Sequence, residues 1–107
     1  MDGFQITFFT RQGSKHKGHQ LAEWLLDFAR NCGVQGGTII AGSESYGKDG
    51  HFHSAHFFEL ADQPLAVIIA ADQVTTDRLF ARLKQENVAV FYVKTAVEFG
   101  SLGDVVV

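Results

Sequence analysis

Phe4, Ile6 and Phe8 alternate with Gln5, Thr7 and Phe9, and a period of two in β-branched and aromatic residues predicts a strand over 3–10 with Phe4, Ile6 and Phe8 inward. The polar segment 11–18, with two glycines and no periodicity, predicts a loop passing into a helix near Gly18. Leu21, Trp24, Leu25, Phe28, Ala29 and Cys32 then recur at spacings of three and four, one apolar stripe of an amphipathic helix. Gly33 stands where a left-handed residue would close that helix, with Val34 folding back onto it.

Gly36 and Gly37 allow a tight turn before a second strand that starts at Thr38-Ile39-Ile40-Ala41. Gly42 interrupts it, and the chain turns polar through Ser43, Glu44 and Ser45 to Tyr46-Gly47, with a turn at Lys48-Asp49-Gly50. A return limb runs from Phe52 to Leu60 and breaks at Asp62-Gln63-Pro64, since proline has no amide hydrogen for a ladder. Leu65 to Ala71 is apolar at every position, the signature of a central strand buried on both faces. Asp72, Thr75 or Thr76 can cap a second helix carrying Leu79, Phe80 and Leu83, which ends near Asn87, and 88–99 reads as a last strand before a short tail.

The order strand, helix, strand, strand, helix, strand predicts a single α+β domain over 1–107. Its fold is a ferredoxin-like βαββαβ sandwich with an antiparallel sheet and an extended loop between the second and third strands. Both helices then cover one face of the sheet. The other is too apolar to face water, so copies of the chain are expected to cover it in a closed cyclic oligomer.

Composition adds three limits. A net charge of -3 with mixed signs excludes a general nucleic-acid surface. One cysteine excludes an internal disulfide and fits a reducing compartment. A start without a basic, then long apolar run, and a longest apolar stretch of Leu65 to Ala71, give the expectation of a soluble, cytoplasmic protein without a membrane span.

The candidate chemistry is sparse. Arg11, Lys15 and Lys17 precede a helix start, where free amides and the positive helix end attract anions. His51, His53 and His56 lie close together, with His16 and His19 elsewhere, and imidazole is a common metal ligand. In an extended strand His51 and His53 share a face and His56 does not, so a three-histidine site needs a bend or a second subunit. Cys32, on the apolar stripe, reads as an inert core thiol. Glu44, Asp49, Glu59 and Asp62 have no spacing that selects a general acid and base, so no enzymatic activity is expected.

The chain resembles the PII-like superfamily, in its branch of small bacterial and archaeal proteins. The resemblance rests on Ser14-Lys15-His16-Lys17-Gly18, on Cys32 through Ile40, and on Gly42 with Tyr46-Gly47. It extends through His53-Ser54 and the run from Gln63 to Ile69 closing at Asp72. It implies a non-enzymatic signalling homotrimer whose sheets line the inside. A nucleotide or other small anionic metabolite would bind in the inter-subunit cleft, and the loop 42–56 would change shape and dock on a target protein. The ligand-binding residues so implied are Lys15, Lys17, Gly37, Gly42, Tyr46 and His53. PII proteins carry a glycine- and lysine-rich phosphate loop before the last strand, where this chain has Lys84-Gln-Glu-Asn-Val-Ala89. The alternative is a trimer similar to the CutA proteins that binds a divalent metal through His51, His53 or His56.

Overall fold

The computed structural model describes residues 1–46, 52–54 and 62–103, the segments 44–46 and 52–54 as backbone only. A four-stranded antiparallel sheet is built from β1 (Asp2–Arg11), β4 (Gly37–Ala41), β7 (Pro64–Asp72) and β8 (Phe91–Glu98), in the spatial order β4-β7-β1-β8. Helices α1 (Leu21–Asn31) and α2 (Gln73–Gln85) make the crossovers and pack on one face. This is the α+β, ferredoxin-like arrangement expected from the element order. Two short ribbons are added to it: β2 (Lys15–His16) with β3 (His19–Gln20), and β5 (Glu44–Tyr46) with β6 (Phe52–Ser54). Among the described residues no helix is long and apolar enough to cross a membrane.

The core lies between the sheet and the helices. Ile6 and Phe8 of β1 and Leu65, Val67, Ile69 and Ala71 of β7 meet Leu21, Ala22, Leu25 and Ala29 of α1 and Leu79 and Leu83 of α2. Each large aliphatic or aromatic side chain so buried contributes about 1.5–3 kcal/mol. Within β7 burial alternates, because Ala66, Ile68 and Ala70 point to the face that carries no helix. The strand expected to be covered on both sides is thus covered on one within a single chain. On the open face lie Phe9, Ile40, Phe91 and Val93, all exposed, with the rings of Phe9 and Phe91 5.9 Å apart.

Helix ends follow their capping residues. Gly33 takes φ 105°, and the amides of Gly33 and Val34 donate to the carbonyls of Arg30 and Ala29, both at 3.0 Å, a Schellman closure that buries Val34. Asp72 accepts from the Thr75 amide at 2.8 Å and starts α2, and Asn87 at φ 55° ends it.

Three local expectations are revised, and a fourth is tested only over part of its length. The polar loop before α1 is a ribbon turning at Lys17 and Gly18, both with positive φ, and α1 starts at Leu21. Trp24 and Phe28 are half-buried at the rim of the stripe, stacked 4.7 Å apart with His16 on the other side of Trp24 at 4.3 Å. The last strand begins at Phe91, since Val88 and Val90 pack toward the core instead of extending the ladder. The return limb is a strand at Phe52–Ser54, and its expected continuation to Leu60 lies outside the described residues.

Candidate functional site

One end of the sheet gathers most of the candidate residues. Arg11 at the end of β1 is paired with Pro64 at the start of β7. On the far side of Pro64, the Gly42 amide donates to its carbonyl at 2.8 Å. Arg11, Pro64 and Gly42 therefore form a row across three strands. The ribbon of β2 and β3 leaves this row from β1, and the arm of β5 and β6 leaves it from β4. The start of β8 joins the same end, since Phe91 pairs with Phe9.

Lys15 is exposed on β2, opposite Gln20. Lys17, at the ribbon turn, places its Nζ 2.8 and 3.1 Å from the two carboxylate oxygens of Glu86, the C-cap residue of α2. That ion pair ties the ribbon to the far end of α2 and gives Lys17 a partner within the chain. The α1 N-cap, Gln20, makes no side-chain cap, and the Leu21 amide donates to the Ser14 carbonyl at 2.8 Å. The next amides of the first turn have no intrahelical partner, and Glu23 places a carboxylate in the same turn.

Gly42 lies where the arm leaves the sheet, and a Cβ there would make only ordinary contact with Pro64, at 3.4 Å. In the arm, Tyr46 is opposite Phe52 and His53 opposite Ser45. Gly37 is at the other end of β4, opposite Ile69, and the five-residue separation from Gly42 spans about 17 Å at the strand rise. A Cβ at Gly37 would fall 2.6 Å from Leu26 Cδ1 and 2.8 Å from Ile69 Cγ2. Close packing of α1 on β4 accounts for this glycine. The structure thus brings Lys15, Lys17, Gly42 and the arm bearing Tyr46 and His53 to one end and leaves Gly37 apart.

Among the described residues no three His, Cys, Asp or Glu side chains converge as a metal site. His51 and His56 lie outside the described residues. Cys32 is buried, with its carbonyl accepting from Arg78 Nη1 at 2.8 Å and its Sγ 3.8 Å from Arg82 Nη1. Its surroundings are those of a packed helix end.

Two groups were not singled out by sequence reasoning. Glu86 has no local pattern to mark it, because its partner is 69 residues away. Lys94, on β8, lies over the rings of Phe4 at 4.7 Å and Phe80 at 5.6 Å, and no carboxylate pairs with it among the described residues. A lone basic residue in a largely apolar strand was the available signal.

The family model described as "Uncharacterized ACR" (DUF190) matches residues 3–98. No curated protein matches the chain. Among solved structures, a protein of Thermus thermophilus described as PII-like in signaling has 16% identity and a TM-score of 0.67, over 91% of this chain and 88% of that one. CPII, a nitrogen regulatory PII-like protein from Thiomonas intermedia, solved with ADP and bicarbonate, has 16% identity and a TM-score of 0.67, over 94% and 91%. Its apo form has 18% identity and a TM-score of 0.54, over 91% and 92%. At these identities the likeness is one of fold, and the fold is PII-like.

Proposed function

The chain belongs to the DUF190 family, and from that premise we propose that it is a non-enzymatic, single-domain PII-like regulator that works as a homotrimer. Its ligand is a small anion, an adenine nucleotide or bicarbonate, taken up where subunits meet at the arm end of the sheet. The observation that carries this reading is the sheet itself. One face is apolar and uncovered, and from its edge an arm projects beside a basic ribbon and an uncapped helix start. Covering that face with two further copies of the chain buries Phe9, Ile40, Phe91 and Val93 and sets each arm against a neighbour.

Ligand contacts in this reading come from Lys15 and Lys17, the backbone at Gly42, and Tyr46 and His53 of the arm. Regulation is a population shift: the anion binds one arm conformation more tightly than another, and a target protein docks on that conformation. The bound solved relatives support the ligand class, since CPII was solved with ADP and bicarbonate. In this chain Glu86 already pairs with Lys17, so an anion at Lys17 competes with a carboxylate. Thermal melting with ADP, AMP and bicarbonate tests the proposal. A ligand at a hundred times its dissociation constant stabilises the folded protein by about 2.7 kcal/mol. No shift with any of the three would overturn it.

A further inference from the structure

The ribbon before α1 carries a pair of histidines that the function proposed above does not use. β2 and β3 are joined by Lys17 and Gly18, whose φ values of 52° and 79° are both positive, as a type I′ turn requires. The turn sets His16 directly opposite His19. Side chains so placed share one face of an antiparallel pair, with Cβ atoms about 4.5–5.5 Å apart. Lys15 and Gln20, the next pair along the ribbon, alternate to the other face.

The surroundings of His16 select one of its nitrogens. Its ring lies tilted against Trp24, with centroids 4.3 Å apart and planes at 59°, and Nε2 is buried without a hydrogen-bond partner among the described residues. A lone pair in that position would be an acceptor with no donor, whereas an N–H beside an indole ring finds its negative face. The neutral tautomer with the proton on Nε2 is thereby favoured, and it leaves the lone pair on Nδ1. His19 is exposed, so its ring can turn toward its neighbour.

We propose that His16 Nδ1 and one ring nitrogen of His19 form a two-imidazole site for a divalent transition-metal ion, with water completing the coordination. Imidazole nitrogens bind such an ion at about 2.0–2.1 Å, so two of them on one ion stand about 3 Å apart. Opposite histidines of an antiparallel pair span that gap without moving the backbone. Imidazole suits copper, zinc and nickel better than calcium or magnesium, and copper(II) stands highest in the affinity order of the divalent ions. The charge around the pair permits a cation: the Lys17 ammonium is held 2.8 Å from Glu86, Lys15 is on the opposite face, and Glu23 adds a carboxylate in the first turn of α1. A bound ion ties together a ribbon whose two strands are each two residues long. The site uses none of the arm histidines and does not depend on the trimeric reading.

Trp24 is the protein's one tryptophan and lies against His16, so its fluorescence reports on the site. Titration of the full chain with copper(II), in a buffer that does not bind the metal, is expected to quench that emission to saturation. Zinc(II), which does not quench, is expected to compete and restore it. His19→Gln changes an exposed residue and is expected to raise the copper concentration needed for half-quenching by more than about tenfold, the least that loss of even an outer-shell partner costs a metal site. His16→Gln should do the same. Replacing His51, His53 and His56 together by glutamine is expected to leave the quenching curve unchanged. A curve that is unchanged in His19→Gln, or lost with the three arm histidines, would overturn the proposal, as would the absence of quenching in the wild type.

Discussion

Lys17 Nζ stands 2.8 Å from Glu86 Oε1, joining the turn of the β2–β3 ribbon to the C-cap of α2 across 69 residues of sequence. Both residues sit at chain reversals: Lys17 itself has φ 52°, and Asn87, after Glu86, has φ 55°. The lysine side chain is 59% exposed and the glutamate 27%. Such a partly solvated pair contributes about 0–1 kcal/mol to stability. Glu86→Gln is accordingly expected to change the denaturation free energy by no more than about 1 kcal/mol. It frees the ammonium, so calorimetry should show tighter ADP binding than in the wild type. Equal affinity would place Lys17 outside the ligand site.

Gly37 and Gly42 separate packing from binding. Gly37→Ala drives a methyl between Leu26 and Ile69, and overpacking of this kind costs about 1–3 kcal/mol by urea denaturation. Gly42→Ala meets only Pro64 at ordinary contact distance and should stay within about 0.5 kcal/mol of the wild type. If the arm base lies against ligand, Gly42→Ala weakens ADP binding at nearly unchanged stability. A large loss of stability in Gly42→Ala would contradict the placement.

The Asp72 cap gives a pH dependence with a definite sign. Hydrogen bonds from the Thr75 amide and hydroxyl, with the charge of Arg78 adding to them, hold its carboxyl below the ordinary carboxylate value, and burial opposes them. The folded state therefore favours the ionised form, and the cap's contribution is complete above the unfolded pKa and lost as pH falls through the lower folded one. The melting temperature of Asp72→Asn should lie below that of the wild type at pH 7. The gap should narrow as pH drops below about 4. A gap independent of pH would contradict the role of the charge.

Much of this fold was legible in local chemistry. The glycine at 33 after an apolar stripe, the aspartate at 72 before α2 and the asparagine at 87 each sit where their conformational preferences matter, and each ends or starts a helix there. The ribbon at 15–20 was not legible, because a Lys-Gly turn lacks the asparagine or aspartate that marks such reversals. Trp24 and Phe28 matched the helical spacing yet only rim the core, since α1 turns Ala22, a weak hydrophobic signal, fully inward. At the candidate site, Arg11 and Gly42 are brought to one row by strand pairing through Pro64. The Lys17 partner depends likewise on a contact between residues far apart in sequence.

The open sheet face can be probed without touching the core. Ile40 is 48% and Val93 45% exposed in the single chain, so Ile40→Glu or Val93→Glu leaves the subunit's own packing largely intact. In the assembled trimer the same carboxylate is buried without a partner, which costs several kcal/mol. Both variants are expected to yield folded single subunits, by size-exclusion chromatography with circular dichroism. A variant that keeps the wild-type size would show that this face stays in water.

Sedimentation equilibrium of the wild-type protein over a wide concentration range tests the central claim most directly. The expected mass is three times that of the 11.8 kDa chain, held down to low micromolar concentration. A single species of 11.8 kDa, well behaved throughout that range, would contradict the account, because the apolar sheet face and both free edges would then be stable in water alone.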